Sequence, residues 1–229
     1  MKLYAILPFI LQLIAWPFAH AVFRITGSFK VTGYEHIKNI KSPVIFVANH
    51  VNDLDPVLTR AMLPMFSKPL FWLARYRAYY DSLPKEQHGW KGWQSMLYSD
   101  LFFRSWGAHP ALAGTGDYAT SLQHITKLVN DGYSVCIFPQ GGEAKYHGRE
   151  APVRGGAGFL ASHTGAPLVP VAISGTLNLG PKELFFDGRK LKITLGAPVY
   201  VSKTNGTESQ EFYKQQVKKA MDEVYQALI

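Results

Sequence analysis

The sequence predicts a single α/β domain, with a mostly parallel central sheet flanked by helices and an N-terminal hydrophobic membrane-anchoring segment ahead of it. Three observations predict it. Apolar runs of strand length sit at residues 44–48, 134–138 and 167–173, as in strands covered on both faces. Segments with helical spacing alternate with them. No linker or repeat divides the chain, so residues 1–27 read as the anchor and 28–229 as one domain.

The anchor comes first. Residues 3–23 carry no formal charge and are flanked by Lys2 and Arg24. That length spans a bilayer. Pro8 and Pro17 break the run, and Gln12, Trp16, Phe18 and His20 interrupt or edge it. No small-x-small cleavage site leads into a polar start, which argues against a signal peptide. The segment reads as a membrane-embedded or re-entrant anchor. A single span and a buried core helix are the alternatives.

Residues 29–33 form a short strand and turn, and 44–48 a central strand. Residues 56–65 read as a helix ended near Pro64, and 70–74 as a further strand. Residues 76–106 interleave nine aromatic side chains with Arg75, Arg77, Lys85 and Lys91. Rings beside cations suit a membrane interface; a core face under a lid is the alternative. Residues 117–130 read as one helix, with Tyr118, Leu122, Ile125 and Val129 on one face. Residues 154–161 are a loop entering a helix that stops near Gly165. The strict alternation of residues 191–195 predicts an edge or half-exposed strand. Thr207-Glu208-Ser209-Gln210 fits a capping box. The last helix carries Phe212, Val217, Met221, Val224 and Leu228.

With 24 Lys and Arg against 16 Asp and Glu, the net charge is +8. Such a balance attracts anionic surfaces. The cations are scattered, without zinc-finger spacing, an RNP-type strand or a basic arm, so lipid is the expected partner and nucleic acid is not. Cys136, the one cysteine, permits no internal disulfide. Within a strand-like run it reads as a buried, inert thiol. His36, His88, His109, His124, His147 and His163 show no metal-ligand spacing, so no metal is expected.

The chemistry concentrates at the end of the first central strand, which runs directly into His50. Asp55 follows five positions later, before Pro56. Strand ends are where α/β folds carry their ligands. An imidazole there takes a proton from a hydroxyl, and a carboxylate beside it fixes its tautomer. Asp55-Pro56 is also an ordinary helix start, with Asp at the cap and Pro following.

Four blocks in order resemble the glycerolipid acyltransferase superfamily, of which PlsC-like lysophosphatidic acid acyltransferase is the typical member. His50-Val51-Asn52-Asp53-Leu54-Asp55 matches its His-x4-Asp motif. Leu101-Phe102-Phe103-Arg104-Ser105-Trp106-Gly107-Ala108 resembles the second block. Phe138-Pro139-Gln140-Gly141-Gly142-Glu143 stands where the family has Phe-Pro-Glu-Gly-Thr-Arg. Residues 169–176 match the fourth, and Arg154-Gly155 fits a basic-Gly pair. The resemblance implies a membrane-associated O-acyltransferase acting on a lysophospholipid or related lipid. His50 would be the general base and Asp55 its orienting partner. The donor would be acyl-CoA or acyl carrier protein, with no cofactor and the active site on the cytoplasmic face.

This chain departs from the family at Gln140 and Glu143, and no Arg follows Gly107. A guanidinium suits phosphate; a carboxylate repels it. Either the acceptor phosphate is held by Arg154, Lys145 or Arg149 and the amides of Gly141, Gly142, Gly155 and Gly156, or the acceptor lacks a phosphomonoester, as a glycolipid does. A catalytically inactive lipid-binding relative and a His-dependent lipid hydrolase are further alternatives. No Gly-x-Ser-x-Gly elbow is present.

Overall fold

Apolar strand runs with no polar face need cover on both sides, and the fold supplies it. The computed structural model describes residues 1–26, 28–41, 43–74, 100–111, 117–141, 152–186, 188–204 and 208–228. A 3-10 turn, Leu3–Ala5, leads into α1, Ile6–Ile25. Then come β1 (Ser28–Thr32), β2 (Ile45–Ala48), α2 (Asp55–Ala61) and β3 (Phe71–Ala74). α3 (Asp100–Trp106), β4 (Ala108–Pro110), α4 (Tyr118–Ser121), α5 (Gln123–Asn130) and β5 (Val135–Ile137) follow. The chain ends with α6 (Gly156–Thr164), β6 (Leu168–Ser174), α7 (Pro181–Phe186), β7 (Lys190–Leu195) and α8 (Gln210–Ala227).

The seven strands lie in the order β1-β7-β6-β2-β5-β3-β4. Every pairing is parallel except β6 with β7. β2 is central, between β5 and β6, so the strand order reverses around it. The C-terminal end of β2 is therefore the crevice where open α/β sheets place ligands. Alternation along the strands divides the core. Ile45, Val47, Val135, Ile137 and Leu168 face one layer, with Leu160 of α6 and Val217 and Met221 of α8. Phe46, Ala48, Cys136, Val169, Val171 and Ile173 face the other, with Leu58 of α2 and Leu184 of α7. Cys136 is fully buried, as expected.

Some expectations change. Residues 117–130 form two helices, because Leu122 leaves the helical region (φ −109°, ψ 11°). Asp117 caps the first of them by accepting from the Ala119 and Thr120 amides. The strand at residues 190–195 alternates because one face is exposed, yet it is interior; β1 and β4 hold the edges. Ser209, not Thr207, caps α8, accepting from Phe212 N–H at 3.1 Å. Of the aromatic stretch, residues 76–99 lie outside the described residues, while Phe102, Phe103 and Trp106 sit on α3. β4 and α7 carried no sequence signal, being three and six residues long.

The largest change is α1. Neither Pro8 nor Pro17 breaks it. Pro8 lies in the first turn, where an N–H is unpaired anyway, and Pro17 forgoes one bond in a helix held from outside. Three of its polar side chains, Gln12, Trp16 and His20, turn toward the domain, while Arg24 at its end is exposed. Gln12 is 2% exposed; it donates to the carbonyls of Leu70 (2.7 Å) and Trp106 (2.8 Å). Its amide oxygen accepts from Leu70 N–H (2.9 Å) and Arg60 Nε (3.0 Å). Trp16 Nε1 donates to Leu63 O, and His20 Nε2 meets Ala61 O, each at 3.0 Å. A carbonyl only accepts, so His20 Nε2 carries the proton. Leu3, Leu7, Ile10, Ile14, Phe18 and Ile25 are exposed on the outer face. The segment Leu3–Ile25 is long and apolar enough to cross a membrane, yet its polarity is inside out: polar toward the protein, apolar toward the surroundings.

Candidate active site

The site is built where β2 runs out. Asn49, almost fully buried, donates to Ile173 O (2.9 Å) and accepts from Ile173 N–H (2.8 Å). These two bonds pin the strand end to β6. His50 is the next residue. The chain turns through 51–54 and re-enters as α2, whose first residue is Asp55 with Pro56 behind it. The turn is closed by Asn52, whose side-chain oxygen accepts from Leu54 N–H (3.0 Å). Its amide reaches Leu179 O (2.9 Å), tying the loop to the segment after β6.

His50 Nδ1 lies 2.9 Å from Asp55 Oδ2. The same oxygen accepts from Val51 N–H (2.7 Å) and Asn52 N–H (2.9 Å). Asp55 is fully buried, so these bonds and the start of α2 carry its charge. The carboxylate only accepts, so Nδ1 carries the proton and the lone pair is left on Nε2. No described residue bonds to Nε2. The His50 ring stacks on Phe138, 4.3 Å between centroids and 24° between planes. The imidazole is thereby fixed on one edge and one face.

Phe138 begins the neighbouring loop after β5. Gln140 Oε1 accepts from His50 N–H at 3.4 Å, and Gln140 Nε2 donates to Tyr225 OH at 2.7 Å. Gly141 has a left-handed backbone (φ 72°). A Cβ there would lie 2.7 Å from Arg154 Nε, so the Arg154 side chain crosses directly over it. The two segments are stitched by Arg154 N–H to Pro139 O (2.8 Å). The Arg154 guanidinium is exposed, with no bond to a described residue. The Gly141 amide is taken by Phe138 O (3.0 Å) and the Gly155 amide by Tyr118 OH (3.2 Å). Gly142, Glu143, Lys145 and Arg149 lie outside the described residues.

The structure thus brings His50, Asp55, Gln140, Gly141 and Arg154 to one end of the sheet. It adds Asn49, Asn52, Phe138 and Tyr225. The two asparagines flank the His in sequence, and a polar residue ending an apolar strand was the available signal for Asn49. Tyr225 had none. Cys136 lies under the site, bonded to Thr59. Burial pushes its thiol up, and Asp55 nearby pushes it the same way, which rules out a thiolate nucleophile. Among the described residues no three His, Cys, Asp or Glu side chains converge to hold a metal.

Residues 28–174 match the family described as Acyltransferase. Over 86 residues the chain is 34% identical to a Brassica napus protein, the 1-acyl-sn-glycerol-3-phosphate acyltransferase BAT2, chloroplastic. That alignment covers 37% of this chain and 25% of the Brassica protein, so the chain spans about a quarter of that relative. The fold resembles the crystal structure of the 1-acyl-sn-glycerophosphate (LPA) acyltransferase PlsC from Thermotoga maritima, with a TM-score of 0.59. The likeness covers 93% of this chain and 79% of that one, at 19% identity, which is a likeness of fold alone.

Proposed function

The chain belongs to the acyltransferase family, and from that premise we propose that it is a membrane-associated O-acyltransferase. It moves a fatty acyl group from acyl-CoA or acyl carrier protein to the hydroxyl of a lysophospholipid of the 1-acylglycerol-3-phosphate type. The observation that carries the reading is the imidazole of His50, bonded at Nδ1 to a buried carboxylate, with no described residue bonded to Nε2.

His50 Nε2 takes the proton of the acceptor hydroxyl as its oxygen attacks the thioester carbonyl. A C–O bond forms; collapse of the tetrahedral intermediate breaks the C–S bond. The imidazolium returns its proton to the departing thiolate. Asp55 stabilises the imidazolium and holds its tautomer through the cycle. The buried position of Asp55 strengthens that interaction. The reaction needs no metal and no covalent enzyme intermediate.

Arg154 holds the acceptor's phosphate in this reading, which is supported by its exposure and by its crossing of the loop that follows Phe138. A second acceptor reading, a lipid without a phosphomonoester, is favoured by Gln140 standing where the family has Glu with its amide already bonded within the chain. Arg154→Ala separates the two. A raised KM for phosphate acceptors alone supports the first; equal effects on neutral lipids support the second.

The membrane contact is the outer face of α1. Its polar side chains are committed to the domain, so the helix lies flat in one leaflet. Crossing the bilayer would carry Leu63, Leu70 and Arg60 into it. The donors are cytosolic thioesters, which sets the active site on the cytoplasmic face.

The test is transfer of labelled acyl groups from both donors to a panel of lysophospholipids, lysoglycolipids and simple lipid alcohols in vesicles. The expected result is diacyl product that vanishes in His50→Ala. Undiminished product in a folded His50→Ala, or release of free fatty acid alone, would sink the reading.

A further inference from the structure

We infer that Gln140 is a positioning residue that couples the C-terminal helix to His50, with Tyr225 as its far anchor; this rests on the function proposed above. Three contacts set the imidazole. Two act on the ring: Asp55 at Nδ1 and Phe138 beneath it. The third acts on the backbone, through His50 N–H and Gln140 Oε1. At 3.4 Å that bond is long, so its geometry depends on what holds the other end of the amide.

That end is held by α8. A backbone N–H only donates, so the Gln140 atom facing His50 is the oxygen. Nε2 then faces Tyr225, whose hydroxyl accepts at 2.7 Å. The glutamine thus spans two elements with one planar group, accepting at one end and donating at the other. α8 is itself seated firmly. Tyr213, Val217, Met221 and Val224 are buried against the sheet and α6. Gly158 admits the helix closely: a Cβ there would lie 2.3 Å from Tyr213 O. A rigid helix, a short amide bridge and the loop carrying the base form one contiguous linkage.

The residue type matters. A glutamate at position 140 would accept from His50 N–H and would need Tyr225 to donate. It would also set a second carboxylate beside the imidazole, where Asp55 already lies. The amide gives the same reach without added charge.

A double-mutant cycle with an independent spectroscopic readout tests the linkage. In 15N–1H correlation spectra, Gln140→Leu moves the His50 amide proton upfield, and Tyr225→Phe moves it the same way by less. In transfer assays each variant lowers kcat about tenfold with acceptor KM unchanged within about twofold. The double variant falls no further than Gln140→Leu alone, because the pair acts as one unit. Gln140→Glu recovers part of the kcat that Gln140→Leu loses, since Tyr225 O–H then donates to it; adding Tyr225→Phe removes that recovery. An unmoved His50 amide in Tyr225→Phe overturns the inference. So does a raised acceptor KM at constant kcat in Gln140→Leu, which would make Gln140 a headgroup contact. A wild type that transfers to no acceptor sinks the acyltransferase reading instead, while the amide shift still decides the linkage.

Discussion

The amide oxygen of Gln12 accepts from Nε of Arg60 at 3.0 Å, between two side chains almost wholly removed from solvent. Arg60 has no carboxylate partner among the described residues. It donates also to the carbonyls of Leu63, Pro64 and Met65. Burial pushes its guanidinium down to about 10, still charged at neutral pH. The N-terminal helix is therefore part of the domain and not a detachable tether.

Gln12→Leu removes the partner of four groups at once: the Arg60 Nε–H, both backbone groups of Leu70, and Trp106 O. Buried polar groups left unpaired are expensive, so the loss should reach about 2–4 kcal/mol. Urea unfolding in detergent measures it; a midpoint unchanged from wild type would contradict the role given to Gln12. By the same reasoning, removing residues 1–24 yields an aggregating chain and not a released soluble enzyme.

The proposed membrane contact is the opposite face of α1. Leu7→Ser, Ile10→Ser and Ile14→Ser combined should weaken partitioning to vesicles on the order of a hundredfold, at roughly 1 kcal/mol per side chain. Folding stability should fall less than in Gln12→Leu, since about half of each of these side chains is already exposed. The proposed contact extends to α7, where Phe185 and Phe186 are 52% and 85% exposed. α7 packs through Leu184 into the same apolar layer as Phe23 of α1. Phe185→Ser with Phe186→Ser should lower vesicle binding further; co-sedimentation reads both sets.

Asp55 separates geometry from charge. Asp55→Asn keeps an oxygen for the amides of Val51 and Asn52, so the loop holds its shape. It no longer stabilises an imidazolium, and transfer should fall about a thousandfold or more. Asp55→Ala strips the acceptor from three donors and should lose about 2 kcal/mol or more of stability besides. A thermal melt beside the assay distinguishes the two.

Acid should loosen the start of α1. Lys127 and Tyr4 bond to the Asp131 carboxylate, with Lys2 nearby, and together they hold it below the usual carboxylate range. A depressed carboxyl contributes stability above the ordinary aspartate value of about 4 and loses it as pH falls through the lowered one. Urea midpoints of wild type and Asp131→Asn should differ at neutral pH and converge once the pH has fallen through the lowered value. Parallel curves would remove Asp131 from the account.

The sequence made the central strands and the His50–Asp55 pair legible for a physical reason. Runs such as 44–48 are apolar on both faces because both faces are covered, and a titratable residue at their end stands out. α1 was harder. Its prolines read as breaks because sequence shows what a proline removes and not what neighbours supply. Gln12 read as a flaw in an apolar run, whereas its four partners lie far along the chain. Tyr225 was invisible for the same reason: an amphipathic helix does not announce which half-buried tyrosine meets a loop elsewhere in the chain.

The inward-facing polar groups of α1 also set an order of events at the ribosome. The helix is synthesised before its partners: Gln12 waits for Arg60, Leu70 and Trp106, which lie 48, 58 and 94 residues further on. Until they emerge, both sides of the helix lack their final surroundings. A nascent chain therefore carries this helix, apolar on its outer face, before it can build the domain that the helix belongs to.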